Sequence, residues 1–137
     1  RAPMPWDEGA NGGFTAAPWR PLVGGGTAPV SAQLGDPDSL LSYHRRLIAL
    51  RRREPALGCG AVGLVLAEGG VLAYLVERPG SRLLVVLNGG ATPTEVPLRG
   101  PLSGHVALAT DRQREGLRIS ATLGLAPSEG VVIRLTV

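Results

Sequence analysis

From Gly58 onward the apolar residues recur with a period of two. Leu117, Ile119, Ala121 and Leu123 alternate with Arg118, Ser120 and Thr122, and Val131, Ile133, Leu135 and Val137 alternate with Val132, Arg134 and Thr136. Successive side chains of a strand point to opposite faces, so this spacing predicts half-buried β-structure. Leu83 to Leu87 is apolar throughout, which predicts a strand covered on both faces. Turn signals separate these runs at Gly69-Gly70, Pro79-Gly80, Asn88-Gly89-Gly90, Glu115-Gly116 and Glu129-Gly130. Pro93 and Pro97 cannot donate to a ladder and confine the segment around Val96 to an edge. About seven short strands at this spacing predict a small antiparallel β-sandwich.

Upstream the period becomes helical. Between Asp36 and Arg53, Leu40, Leu41, Tyr43, Leu47, Ile48 and Leu50 cover one broad arc, and Arg45, Arg46, Arg52 and Arg53 lie outside it. Asp36 is the expected N-cap, Pro37 suits the first helical position, Asp38 complements the positive end of the dipole, and Pro55 stops the helix. His44 and Arg51 fall inside the arc and are read as a satisfied core histidine and a snorkelling arginine. Before this helix, Arg1 to Gly35 shows no period and includes the run Gly24-Gly25-Gly26. It holds Trp6, Phe14 and Trp19, which are both tryptophans and the only phenylalanine of the chain. Rings of that size need apolar cover that the rest of the chain supplies poorly, so the loop is expected to rest on something larger.

Composition narrows the class. The chain has 137 residues, 44% of them hydrophobic and 18% charged, which excludes wholesale disorder and allows one self-sufficient core. No apolar run approaches the roughly 20 residues of a membrane span, and Arg1 to Trp6 lacks the apolar core of a signal peptide, so no membrane association is expected. All 14 basic residues are arginine, yet the net charge is only +3 and is spread along the chain. That distribution gives no reason to expect nucleic acid as a partner. The single cysteine, Cys59, excludes a disulfide framework and is read as a small buried residue near the start of a strand.

No short chemical motif is present. A phosphate-binding glycine loop needs a lysine, and there is none. His44 and His105 have no carboxylate at metal-ligand spacing, and no serine sits in a strand-turn-helix elbow. Asp7 and Glu8 are adjacent carboxylates, read as part of a solvated loop. The arginine pairs and triplet of the helix have only Tyr43 nearby and read as a solvated face. Neither a metal nor a cofactor is expected.

Three stretches in order resemble one family. Arg-Ala-Pro-Met-Pro-Trp-Asp (Arg1 to Asp7), followed by Asn11-Gly12-Gly13-Phe14-Thr15 and Pro18-Trp19-Arg20-Pro21, resembles the post-catalytic loop of α-glucosidases and oligo-1,6-glucosidases of the α-amylase superfamily, glycoside hydrolase family 13. Gln33, Asp36 to Leu41 and Tyr43 to Arg51 resemble the last barrel helix of those enzymes. Leu83 to Asn88 and Leu125 to Glu129 resemble two strands of their C-terminal β-sandwich. Pro5 and Arg20 depart from the family's usual polar and apolar residues at those places.

The resemblance implies a mainly β chain: a C-terminal antiparallel β-sandwich preceded by a long loop and one α-helix from the end of a (β/α)8 barrel. Residues 1–57 would be the last loop and helix of the barrel, and residues 58–137 the sandwich. It further implies a retaining enzyme that hydrolyses α-glucosidic bonds of oligosaccharides. Retention requires two carboxyls roughly 5 Å apart. In the family these carboxyls precede the region matched here, so no catalytic residue is assigned and the isolated chain is expected to be inactive. Arg1 and Trp6 are the candidate substrate-binding residues, with Phe14 and Trp19 assigned to packing. The implied partners are the upstream barrel of the same enzyme and, through it, an α-linked gluco-oligosaccharide. Self-association of the isolated chain is expected from its uncovered apolar surface. The expected compartment is the cytoplasm. Alternatives are a free-standing carbohydrate-binding or interaction module, which would have only Tyr74 to stack on sugars, a non-enzymatic barrel relative, and a trehalose-synthase-like transglycosylase.

Overall fold

The computed structural model describes residues 2–22, 28–98, 102–119 and 121–136. Arg1, the run Gly24 to Gly26, Ser120 and Val137 lie outside the described residues. The chain forms two compact units, residues 1–46 and 47–137, which divide within its long helix.

In the first unit, residues 2–22 form a loop with one 3-10 turn, Ala10–Gly13. A short helix, α1 (Val30–Leu34), follows where the sequence shows no period. The long helix, α2, covers Leu40–Arg53. Its N-cap is Ser39 rather than the expected Asp36. The Ser39 carbonyl accepts the first helical bond from the Tyr43 amide at 2.9 Å, and its Oγ accepts from the Ser42 amide at 3.2 Å. The Asp36 carboxylate is spent one step earlier, on the Asp38 amide at 2.8 Å, closing a turn around Pro37. Glu54 turns extended before Pro55, as a residue preceding proline must, and Pro55 then opens a further short helix, α3 (Pro55–Cys59).

The second unit is built on seven strands among the described residues. They are β1 (Ala61–Glu68), β2 (Val71–Arg78), β3 (Ser81–Asn88), β4 (Thr94–Pro97), β5 (Gly104–Ala109), β6 (Thr122–Leu125) and β7 (Gly130–Leu135). A five-stranded antiparallel sheet runs β1-β2-β3-β7-β5, and β4 pairs with β6 in a second sheet of two strands. Leu84, Val86, Val131 and Ile133 of the larger sheet form one core with Val96, Leu123 and Leu125 of the smaller. This is the expected sandwich, with Val96 on an edge beside Pro97.

The alternating run from Leu117 to Leu123 is divided between the two sheets. Arg118 bridges His105 beside β5, and the Ile119 amide donates to Gly104 at 3.1 Å, whereas Leu123 pairs with Val96. Of the four alternating apolar residues, Ile119 and Leu123 reach the core, whereas Leu117 is 54% exposed and Ala121 is exposed, so the predicted half-buried face is kept at only two of its positions.

The opposite face of the larger sheet is covered by α3, where Ala56 packs with Val76 and Leu83. Beyond it Val62 and Leu64 are each 69% exposed, and Leu87 is exposed although its four preceding neighbours in β3 are buried. Cys59 is exposed at the end of α3, not buried, because the chain inserts that helix before the first strand. His44 is likewise exposed, with Nδ1 3.0 Å from the Leu40 carbonyl, because only Leu50 of the apolar arc is buried.

Candidate functional site

The first unit presents the candidate site. Its loop turns back on itself through three consecutive left-handed residues, Asn11 (φ 54°), Gly12 (φ 63°) and Gly13 (φ 66°). Asparagine and glycine adopt this region at little cost, which is why the turn forms here. The turn is also closely filled. A Cβ on Gly12 would lie 2.9 Å from Pro5 Cα, and one on Gly13 would collide with the Asp7 carboxylate. Asp7 Oδ1 accepts from the Gly9 amide at 2.8 Å, and Asn11 Nδ2 donates to the Thr15 and Ala16 carbonyls at 3.1 and 3.0 Å.

Trp6 sits on this frame. Its amide donates to the Gly12 carbonyl at 2.7 Å, and its own carbonyl accepts from Ser31 at the start of α1 at 2.9 Å. The neighbouring Pro5 carbonyl accepts from Val30 at 3.0 Å. The backbone around Trp6 is thus pinned from both sides while the indole remains 50% exposed. Met4, Phe14 and Trp19 are exposed as well, Trp19 at 77%, and the Arg20 guanidinium lies 4.8 Å from the Trp19 ring centroid. The other candidate, Arg1, lies outside the described residues. Asp7 and Glu8 are both exposed, in keeping with a solvated loop.

Two buried carboxylates of the second unit are committed to structure. Glu54 Oε1 accepts from the Arg134 guanidinium, and Oε2 accepts from Ser81 Oγ at 3.0 Å. Glu129 Oε1 accepts from Arg114 Nη1 and Oε2 from the Ala126 amide, both at 2.7 Å. An open apolar groove of this unit, about 480 Å³, is lined by Leu47, Ile48, Leu57, Val62 and Tyr74 with Arg51 and Cys59 at its wall. Cys59 Sγ accepts from Arg78 Nη1 at 3.0 Å. Among the described residues no group of three or more metal-ligating side chains converges. The groove and the left-handed lock were not anticipated from the sequence, although Asn11-Gly12-Gly13 shortly after Asp7 carries the turn chemistry that would have located the lock.

No family model matches the chain. The whole fold is nevertheless found at the end of larger proteins. The trehalulose synthase MutB from Pseudomonas mesoacidophila MX-45 superposes with a TM-score of 0.86 at 27% identity, over 99% of this chain and 25% of that one. The chain belongs to the α-glucosidase and oligo-1,6-glucosidase group of the α-amylase superfamily, glycoside hydrolase family 13, and corresponds to its C-terminal portion. A probable α-glucosidase of Rhizobium meliloti (strain 1021) is 34% identical over 77% of this chain and 20% of its own length. Trehalose-6-phosphate hydrolase of Bacillus subtilis (strain 168) is 31% identical over 99% of this chain and 25% of its own length. The chain therefore spans a quarter or less of the length of the curated relatives it matches.

Proposed function

We propose that the chain is the scaffold end of a retaining glycoside hydrolase acting on α-glucosidic bonds of oligosaccharides. In this reading residues 1–57 complete the catalytic barrel, residues 58–137 cap it as a sandwich, and the two catalytic carboxyls are supplied by the preceding part of the enzyme. The observation that carries it is the uncovered apolar side of α2. Leu40 is 67% and Ile48 51% exposed although both belong to the arc that should be buried, and relatives about four times longer align over 99% of this chain. Apolar residues at helical spacing that find no cover among the described residues call for a neighbouring surface. The same surface makes the isolated chain prone to self-association. No helix among the described residues is long and apolar enough to cross a membrane. The exposed free thiol of Cys59 is in keeping with a reducing compartment, and we place the enzyme in the cytoplasm.

A second reading, transfer of the glucosyl group to a sugar rather than to water, is favoured by the likeness to a trehalulose synthase. One assay separates the readings. The protein encoded with its upstream sequence is incubated with maltose, isomaltose and sucrose, and the products are resolved by chromatography. Free glucose as the main product from the α-linked disaccharides is the expected result, with none formed by the 137-residue chain alone. A dominant rearranged disaccharide would replace hydrolysis by transfer, and inertness of the longer protein towards all three sugars would refute both.

A further inference from the structure

We propose that Asn88-Gly89 is a latent self-modification site, held unreactive by the native fold. Once the sandwich unfolds, the Asn88 amide converts to an acid, and the acid opposes refolding. The inference is independent of the activity assigned above and concerns how long the folded chain persists. Asparagine followed by glycine is the pair most prone to this chemistry, because glycine has no Cβ to obstruct attack by its own main-chain nitrogen.

The reaction needs no partner but water. The Gly89 nitrogen attacks Asn88 Cγ, a C–N bond forms, and the Cγ–Nδ2 bond breaks. Nδ2 leaves as ammonia, carrying the proton given up by the Gly89 nitrogen, and a cyclic imide remains. Water then opens the ring at either carbonyl. One opening gives aspartate, and the other gives isoaspartate, in which the main chain runs through the former side chain.

In the folded chain the reacting groups are all engaged. Asn88 is 2% exposed at the end of β3. Its Nδ2 donates to the Thr92 and Ala126 carbonyls at 2.9 and 2.8 Å, and its Oδ1 accepts from the Gly90 amide at 2.9 Å. The Gly89 amide donates to the Gly70 carbonyl at 2.9 Å, in the turn between β1 and β2. Bringing Cγ onto the Gly89 nitrogen requires these bonds to break together at a buried position, where water does not replace them. The product fits no better. An acid oxygen in place of Nδ2 would face two carbonyl oxygens. Isoaspartate would add a main-chain carbon where Asn88 pairs with Val71 and its amide meets the Glu129 carbonyl at 2.8 Å. Chemistry confined to the unfolded chain thus turns a reversible opening into an irreversible loss.

The test holds the full-length enzyme at one mildly alkaline pH and one temperature, either folded in buffer or unfolded in guanidinium chloride. Conversion is read by mass spectrometry on the tryptic peptide 83–99, whose single asparagine is Asn88. Unfolding is expected to accelerate conversion at least about tenfold, since protection follows the free energy of opening. After the denaturant is diluted, the converted peptide is expected to be depleted severalfold in the refolded fraction. Gly89→Ala is expected to slow conversion severalfold in the unfolded enzyme. The native fold accepts that change, because a Cβ on Gly89 would stand at an ordinary 3.5 Å from the Gly70 carbonyl oxygen and Gly89 is not left-handed. Asn88→Asp, which supplies the acid directly, is expected to lower the melting temperature by about 3 °C or more, or to prevent folding. Where little enzyme refolds for other reasons, this variant decides the second half of the inference. Equal rates in the folded and unfolded enzyme would overturn the proposal, as the fold would then protect nothing. An Asn88→Asp enzyme as stable as wild type would overturn it too. Unchanged conversion in Gly89→Ala would mean direct hydrolysis of the amide instead of attack by the main chain, and would refute the route.

Discussion

Ile133→Ala is expected to lower the unfolding free energy of the chain by about 3–5 kcal/mol. Ile133 is fully buried on β7, the strand that joins β3 to β5, and pairs with Leu84 on one side and Val106 on the other. Truncation there removes three carbons from the middle of the core shared by the two sheets. β7 itself is held by ladders on both flanks and cannot readily move into the space, so the lost burial and the cavity add. A domain of this size has only about 5–15 kcal/mol in total, so the variant should sit near the edge of folding. Val62→Ala provides the contrast. Val62 is 69% exposed on the edge strand, and its loss should shift stability by no more than about 0.5 kcal/mol. Urea unfolding followed by circular dichroism measures both, and equal effects would refute the assignment of the core.

The second large effect is electrostatic. Glu54→Ala is expected to cost about 2–3 kcal/mol. Glu54 is 7% exposed at the junction of α2 and α3, and its two oxygens hold Arg134 on β7 and Ser81 on β3. Its removal leaves the Ser81 hydroxyl without this partner in a buried place and frees a guanidinium aimed at a void. Because the Arg134 side chain is 41% exposed, water recovers part of the loss, and the full penalty of a buried unpaired charge is not reached. The exposed pair Glu77–Arg82, with side chains 44% and 37% accessible, is the internal control. Glu77→Ala should change stability by less than about 1 kcal/mol. A cost for Glu54→Ala no greater than that control would show that the carboxylate does not tie the helices to the sheet.

What could be read from the sequence follows the range of the interactions involved. Val131, Ile133 and Leu135 announce β7 because one strand with one buried face has a period that nothing else imitates. The end of α2 was legible because proline restricts the residue before it regardless of tertiary context. The N-cap was not, since Asp36 and Ser39 are both good caps and the choice depends on which carbonyl the Tyr43 amide reaches. The division of the 117–125 segment between two sheets depends on partners elsewhere in the chain and leaves no local mark. Cys59 and His44 were misplaced for a related reason. Burial was inferred from apolar surroundings in sequence, whereas the chain places both at positions its own elements do not cover. Of the candidate site, the exposed indole was legible as a ring without cover. The lock beneath it depends on which atoms fill the space beside Gly12 and Gly13, and that is a property of the folded loop.

The measurement that tests the scaffold reading most directly is the effect of Ile48→Ala in two settings. In the 137-residue chain Ile48 is 51% exposed, and alanine is the better helix former, so its unfolding free energy should change by no more than about 0.5 kcal/mol. In the full-length enzyme the same side chain is proposed to be buried against the barrel, and the substitution should cost about 2 kcal/mol or more. Equal, small effects in both proteins would contradict the account, since α2 would then present its apolar side to solvent in the complete enzyme too.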